Sequence, residues 1–103
     1  MTDWVDVCDE EEIDLEDVLR FDHGGRTFAI YRSMEGEVFA TDGLCTHEQV
    51  YLAGGLVMDD VIECPKHNGR FNYKTGEALR TPACVNLATY PARVADGRIQ
   101  IQV

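Results

Sequence analysis

Two cysteines and two histidines of this chain are spaced as the ligands of metal-binding loops are spaced. Cys45 and His47 are separated by one residue, Cys64 and His67 by two, and sixteen residues lie between the two pairs. Each pair offers one thiolate and one imidazole within a single short loop. If the loops face one another, they bring two sulfurs and two nitrogens around one point. The spacing therefore predicts a metal site held by all four residues.

Two kinds of metal centre accept two thiolates and two imidazoles. A lone Zn²⁺ binds them tetrahedrally, whereas a [2Fe-2S] cluster can take both thiolates on one iron and both imidazoles on the other. Zinc modules usually pair like ligands within one loop, but here each loop holds one ligand of each kind. The spacing therefore favours an iron–sulfur cluster clamped from two ends. A structural zinc module without a redox role is the alternative.

These loops must be positioned by β-strands, because the chain consists of short apolar and β-branched runs closed by turn residues. No helical period of 3.6 residues persists beyond the first quarter of the chain. A glycine-rich turn at 23–26 is predicted to join two strands of a hairpin. We expect an all-β protein in which both chain ends form a scaffold around a loop-rich insert at about 43–84. The predicted strands are 4–7, 18–21, 27–32, 38–41, 56–58, 61–64, 70–73, 90–95 and 98–103.

Length and composition predict a single domain over residues 1–103. The chain has 103 residues, of which 45% are hydrophobic, so it can bury one core. No stretch approaches the roughly 18 apolar residues that a membrane-spanning helix needs, and the first residues do not form a basic and apolar export signal. We therefore expect a soluble, cytoplasmic protein. In such a protein, cysteines more often bind metals or take part in redox chemistry than form disulfides.

The negative charge of the chain is concentrated near its N-terminal end. The net charge is −10, and residues 1–22 contain ten acidic residues against Arg20 alone. The remaining residues are almost neutral in sum. This distribution argues against nucleic acid and against an anionic membrane as partners, since both need a basic surface. Two interpretations of the acidic segment stay open: docking to a basic protein, or maintenance of solubility.

The four candidate ligands match the motif of the Rieske-type [2Fe-2S] proteins, in which C-x-H is followed by C-x-x-H. Four surrounding segments resemble small ferredoxins that serve bacterial ring-hydroxylating oxygenases: 42–47, 63–71, 75–77 and 82–85. The resemblance extends from about residue 38 to the C-terminus. It implies a Rieske-like antiparallel β scaffold that carries one [2Fe-2S] cluster, with two histidines at an exposed tip and with the ligands Cys45, His47, Cys64 and His67.

The resemblance also implies a function, which is to carry single electrons and not to transform a substrate. The donor would be an NAD(P)H-dependent flavoprotein reductase, and the acceptor a terminal Rieske non-haem iron oxygenase acting on aromatic compounds. We expect a monomer. The alternative is the small Rieske subunit of a nitrite reductase-type complex. A catalytic oxygenase subunit is disfavoured, because its mononuclear iron needs two further histidines and a carboxylate, and only His23 is left.

Departures from the respiratory Rieske proteins bear on the reduction potential. Those proteins carry an additional cysteine in each loop and form a disulfide beneath the cluster, whereas Val50 and Lys66 occupy these positions here. They also place a serine, whose hydroxyl bonds to a bridging sulfide, where this chain has Gly69. Fewer hydrogen bonds to sulfur stabilise the reduced cluster less. We therefore expect a potential toward the lower end of the Rieske range of roughly −150 to +300 mV.

The other residues that could do chemistry are assigned structural roles. Cys8 and Cys84 lack ligand spacing and are predicted to be buried as small hydrophobic residues, with a disulfide between them as the alternative. His23 is predicted to lie exposed in its glycine-rich turn. Three aromatic residues are predicted to pack in the core or to shield the cluster: Tyr51, Phe71 and Tyr73.

Overall fold

β-Strands make up most of the chain in the computed structural model, which describes residues 3–46, 49–66, 68–81 and 85–103. Strand accounts for 53% and helix for 6%, so the all-β prediction is confirmed. Two 3-10 turns, Glu10–Glu12 and Leu52–Gly54, lie between strands. No described helix has the length and apolar character needed to cross a membrane. The strands are β1 (Trp4–Asp9), β2 (Asp17–His23), β3 (Arg26–Arg32), β4 (Val38–Asp42), β5 (Leu56–Met58), β6 (Val61–Glu63), β7 (Arg70–Asn72), β8 (Ala78–Arg80), β9 (Thr89–Tyr90), β10 (Ala92–Ala95) and β11 (Arg98–Gln102).

Within the described residues, the strands form three antiparallel sheets. One sheet has the order β1-β11-β10 and a second has the order β2-β3-β4-β9, so both combine strands from the two ends of the chain. The third sheet, β5-β6-β7-β8, lies within the predicted insert. Two sheets therefore join both ends of the chain, and the third is formed by strands that lie between them in sequence. The edge strand β8 was not among the predicted strands.

Glycines at positive φ close the scaffold hairpins. Gly24 and Gly25 have φ angles of 60° and 77°, and His23 pairs with Arg26 across them. The turn between β2 and β3 is therefore only two residues long, and the strands extend into the predicted turn at 23–26. Residues with positive φ at both central positions suit the right-handed twist of a two-residue hairpin, and glycine adopts them without a Cβ clash.

Pro91 divides what we predicted as one strand over residues 90–95. The chain before it forms β9, which pairs with β4, and the chain after it forms β10, which pairs with β11. The prediction of a single strand is therefore wrong. Proline has no N–H to donate to a ladder, so a strand through it is interrupted. Its carbonyl still accepts a hydrogen bond from the N–H of Gln102 at 2.9 Å, and the chain crosses between sheets here.

β3 is buried on both faces and separates two apolar clusters. Phe28 and Ile30 pack with residues of β1 and β11 in the scaffold core, whereas Ala29 and Tyr31 pack with the insert. Successive side chains of a strand point to opposite faces, so a strand with two buried faces carries a continuous apolar run. The sheet of β2, β3, β4 and β9 therefore supports the insert on one face and the remaining scaffold on the other.

Two stacked tyrosines join β3 to the insert. The rings of Tyr31 and Tyr73 lie 4.7 Å apart between centroids, at an interplanar angle of 12°. The Tyr31 hydroxyl lies 2.8 Å from the Thr41 hydroxyl, and the Tyr73 hydroxyl donates to the Asp59 carbonyl at 2.8 Å. Burial raises the pKa of Tyr73 to about 12 and raises that of Tyr31 further. Both phenols are therefore neutral hydrogen-bonding groups that fix the insert on the scaffold.

The acidic segment is built into the scaffold. It contains β1, a 3-10 turn and β2, and part of its charge is neutralised by basic residues elsewhere. Arg98 of β11 forms ion pairs with Asp6 and, at 2.7 Å, with Asp9. The Arg98 guanidinium holds the pKa of Asp6 below its usual value. The acidic segment is therefore partly paired within the fold.

Candidate metal centre

The first predicted loop leaves the scaffold at the end of β4 and closes through a short antiparallel stem. The N–H of Cys45 donates to the carbonyl of Val50 at 2.9 Å, and the N–H of Leu52 donates to the carbonyl of Gly43 at 2.9 Å. These two hydrogen bonds pair the incoming and outgoing chain. Cys45 therefore lies at the end of this stem, and the four residues between Cys45 and Val50 include the predicted ligand His47.

The second predicted loop joins β6 to β7. Glu63 and Arg70 are opposite each other in the ladder, and the N–H of Cys64 donates to the carbonyl of Gly69 at 2.7 Å. β6 ends at Glu63, one residue before the predicted end of this strand. Cys64 therefore lies immediately after the last strand residue, and the four residues that follow it include the predicted ligand His67.

The two cysteines share one local arrangement. Each donates its N–H to the carbonyl of the residue five positions further along the chain. The exposed fractions of Cys45 and Cys64 are 4% and 1%, and both belong to one apolar cluster with Leu52, Ile62 and Phe71. The two stems therefore deliver both cysteine side chains into one region from which water is largely excluded. A metal site shared by the two loops requires this convergence.

The chemistry of the described donors fits a [2Fe-2S] cluster. Thiolates are preferred ligands of iron–sulfur clusters, and apolar surroundings help to tune the potential of such a site. Cys45 is not in a disulfide. His47 and His67 lie outside the described residues, and within the described part of the chain no three acidic, cysteine or histidine side chains gather as a metal site. The complete set of four ligands therefore stays a prediction.

An ion pair closes the second stem one residue before Cys64. Arg70 Nε lies 2.8 Å from Glu63 Oε2, and the exposed fractions of the two side chains are 37% and 19%. A pair that remains this accessible contributes about 1 kcal/mol or less to stability. Its main effect is to hold β6 and β7 in register at the point where the second loop begins.

A third segment, residues 85–88, packs against the first loop and the β7–β8 turn. The Thr46 hydroxyl donates to the carbonyl of Val85 at 2.6 Å, and the N–H of Leu87 donates to the carbonyl of Gly76 at 2.7 Å. Thr46 lies between the predicted ligands Cys45 and His47, so its side chain ties the first loop to this segment. Sequence reasoning missed this contact, because no local pattern connects residues 39 positions apart.

We expect Thr46→Val to weaken the first loop while preserving the shape of the side chain. The change removes the hydroxyl that bonds to Val85, which is worth about 1 kcal/mol, so the cluster should be lost to a chelator about fivefold faster. The measurement is the decay of visible absorbance of the purified protein in excess EDTA. Thr46→Ser keeps the hydroxyl and serves as the control. Equal decay rates for the two variants would show that the hydrogen bond does not support the loop.

The structural roles predicted for the other polar candidates are confirmed where the residues are described. Cys8 has an exposed fraction of 6%, lies in the scaffold core and is not in a disulfide. Burial raises the pKa of its thiol. His23 is exposed at the end of β2, with its ring stacked on Phe21 at a centroid distance of 6.0 Å. Cys84 lies outside the described residues.

Phe71 and Tyr73 are confirmed as core residues, whereas Tyr51 does not lie in the core. Phe71 and Tyr73 are fully buried in the cluster that also contains the two cysteines. Tyr51 is 43% exposed, and the Arg20 guanidinium carbon lies 3.8 Å from the centroid of its ring. The prediction of a core role fails for Tyr51 because the side chain points away from the cluster that buries its neighbour Leu52.

Comparison with known proteins gives consistent matches over nearly the whole chain. The family model described as Rieske [2Fe-2S] domain matches residues 3–91. The ferredoxin component of the naphthalene 1,2-dioxygenase system of Pseudomonas aeruginosa is 40% identical over 100 residues, which cover 97% of this chain and 95% of that protein. A solved structure of reduced oxygenase with oxidized ferredoxin from carbazole 1,9a-dioxygenase contains a chain that is 31% identical. It superposes with a TM-score of 0.90, over 96% of this chain and 92% of that one.

A solved nitrite reductase subunit shares the same fold. The NADH-dependent nitrite reductase small subunit from Mycobacterium tuberculosis superposes with a TM-score of 0.89 over 100% of this chain and 96% of that one. Its sequence identity is 23%, a level at which the similarity shows the fold alone. One fold commonly hosts several functions, so this match does not distinguish the electron acceptor.

Proposed function

The chain belongs to the Rieske [2Fe-2S] domain family, and from this we propose that it is a ferredoxin that delivers single electrons to a terminal oxygenase acting on aromatic compounds. The observation that carries the proposal is the match to ferredoxin components of dioxygenase systems over nearly the full length of both chains. These relatives are named as ferredoxin components of dioxygenase systems, so the chain is an electron carrier and not an enzyme.

We infer that Cys45, His47, Cys64 and His67 hold the cluster. When bound, a cluster of this type accepts one electron and releases it again without other change. Cys45 and Cys64 would supply their thiolates from the ends of the two stems, inside the apolar cluster. His47 and His67 would supply neutral imidazoles from the loops beyond these stems. The support for this assignment is the spacing of the four residues and the burial of both cysteines in one region.

The choice of two histidines affects how easily the site accepts an electron. Two thiolates and two neutral imidazoles bring two negative charges fewer than four thiolates do. An electron is therefore added to a less negative site, which raises the potential relative to ferredoxins with four cysteines. Gly69 cannot supply a side-chain hydrogen bond to a sulfide, so we place the potential toward the lower end of the Rieske range.

The proposal extends to the domain organisation, cellular location, oligomeric state and electron donor of the protein. We propose that residues 1–103 form one domain with a cluster-binding insert at about 43–84, and that the protein is a soluble, cytoplasmic monomer. An NAD(P)H-dependent flavoprotein reductase would supply the electron. The nitrite reductase alternative has a shared fold as its support, whereas the oxygenase proposal also has the higher sequence identity of the ferredoxin components.

Reconstitution with separate components tests this function. The chain is combined with NADH and with the reductase and oxygenase of a naphthalene dioxygenase system, and hydroxylated product is measured. We expect product formation to depend on the added chain and to disappear when Cys45→Ala replaces it. A chain that holds a native cluster and is reduced by the reductase, yet supports no oxygenase turnover, would contradict the proposed acceptor.

Electron transfer to the oxygenase is expected to slow as salt is added. The acidic residues near the N-terminus remain in excess over the arginines that pair with some of them, and exposed charge of one sign accelerates association with a basic partner surface. We expect the second-order rate constant to fall by about tenfold between low and physiological ionic strength. The measurement is stopped-flow reoxidation of the reduced chain. A rate constant that does not change with salt would leave the acidic segment with a role in solubility alone.

A further inference from the structure

We propose that Arg20, Asp22 and Tyr51 form a clamp that positions the first cluster-binding loop against the edge of the scaffold. The inference rests on the proposed cluster site and extends it to residues outside the ligand loops. The Arg20 guanidinium carbon lies 3.8 Å from the centroid of the Tyr51 ring. Arg20 Nε and Nη2 donate to the two carboxylate oxygens of Asp22 at 3.0 and 2.9 Å.

Tyr51 belongs to the stem that carries Cys45. It forms a β-bridge with Leu44, the residue before Cys45. Its neighbour Val50 accepts the hydrogen bond from the Cys45 N–H at 2.9 Å. Displacement of Tyr51 would therefore move both the bridge and the carbonyl that holds the Cys45 backbone. A contact that fixes the Tyr51 ring also fixes the base of the first loop.

The scaffold side of the clamp is β2, which is one of the two edge strands of its sheet. Arg20 and Asp22 are two residues apart on this strand, so their side chains lie on the same face. The two-point hydrogen bond to Asp22 fixes the orientation of the guanidinium, whose carbon lies over the Tyr51 ring. Guanidinium groups are well suited to this combination of stacking and paired hydrogen bonds, whereas an ammonium group is not.

The exposure of Tyr51 supports a role outside the core. Its ring is 43% exposed, whereas the next residue, Leu52, is fully buried. Core packing therefore does not explain the position of the Tyr51 ring. The Arg20 guanidinium contacts one face of this ring. Arg20 and Asp22 together carry no net charge, so the clamp acts through position and not through a change in the charge near the cluster.

The test compares the holoprotein with single variants on both sides of the clamp. Tyr51→Leu removes the ring but no charge, and Arg20→Gln removes the stacking cation. Each should speed the loss of cluster absorbance in excess EDTA by about two- to fivefold, the factor that corresponds to a cation–π contact at an exposed site. Tyr51→Leu should also shift the midpoint potential, because it changes no charge and the loop that carries Cys45 and His47 is held less firmly. Tyr51→Phe keeps the ring under the Arg20 guanidinium and removes only the hydroxyl, so it should lose the cluster more slowly than Tyr51→Leu.

The chain offers a matched control in the other scaffold sheet. The Arg93 guanidinium carbon lies 4.1 Å from the centroid of the Trp4 ring, in strands that do not belong to the insert. Arg93→Gln should remove a similar contact without changing cluster loss or potential. The proposed clamp is contradicted if the Tyr51→Leu and Arg20→Gln proteins lose the cluster no faster than the Arg93→Gln protein. An unmodified protein without a [2Fe-2S] cluster would instead refute the proposed function, so the two failures are distinguishable.

Discussion

Cys64→Ala is expected to abolish the [2Fe-2S] cluster, with iron and sulfide falling to background in the purified protein. Cys64 would supply one of four protein ligands, and alanine offers no donor atom in its place. The position is almost completely buried, so water cannot easily substitute for the lost thiolate. The same result is expected for Cys45→Ala. The measurements are visible absorption together with chemical determination of iron and acid-labile sulfide.

Cys8→Ala is the control for this prediction. Cys8 is also buried, but it lies in the scaffold core and not in the cluster that contains Cys45 and Cys64. The variant should keep full iron and sulfide, with at most a modest loss of stability. His23→Ala provides the corresponding control for His47→Ala and His67→Ala. A Cys64→Ala protein with an unchanged spectrum and full iron content would refute the assignment of Cys64 as a ligand.

Gly76→Ala is expected to destabilise the protein far more than Gly25→Ala does. Both glycines have positive φ, 83° at Gly76 and 77° at Gly25, so alanine would strain the backbone at each by about 1–2 kcal/mol. A Cβ at Gly76 would lie 2.2 Å from the carbonyl oxygen of Leu87, whereas a Cβ at Gly25 would meet no atom within 4 Å. The overlap at Gly76 adds about 1–3 kcal/mol.

Urea unfolding of the two holoproteins measures this difference. The Leu87 N–H donates to the Gly76 carbonyl at 2.7 Å, so the substitution also displaces the segment that Thr46 holds through Val85. We therefore expect Gly76→Ala to lose its cluster more readily as well as to unfold at lower urea. Equal unfolding midpoints for the two variants would mean that the segment near Leu87 adjusts freely, and that it does not support the first loop.

The elements with strong local signals could be predicted from the sequence. The apolar run that forms β3 predicts a strand, since a strand with two buried faces is apolar throughout. The paired glycines before it predict the hairpin. The break at Pro91 has a local signal, the missing N–H, although β-forming residues flank it. The spacing of cysteines and histidines pointed to two loops, and the structure places both cysteines at equivalent positions on their stems.

The contacts that sequence reasoning missed join residues far apart in the chain. Arg20 covers Tyr51, and Thr46 bonds to Val85 across 39 positions. Such pairs depend on how the insert sits on the scaffold, and no periodicity or motif encodes them. The residue type alone does not show whether an aromatic side chain such as that of Tyr51 is buried or exposed. Its position depends on the neighbouring edge strand β2, which supplies Arg20.

The central claim is that this chain binds one [2Fe-2S] cluster through mixed sulfur and nitrogen ligands. Electron paramagnetic resonance of the dithionite-reduced protein tests it most directly, with iron, sulfide and zinc determined on the same sample. We predict a spin-one-half signal with an average g value lower than that of ferredoxins with four cysteines, and two irons with two sulfides per chain. A protein that gives no signal and contains one zinc per chain would contradict the claim and leave a structural module in place of an electron carrier.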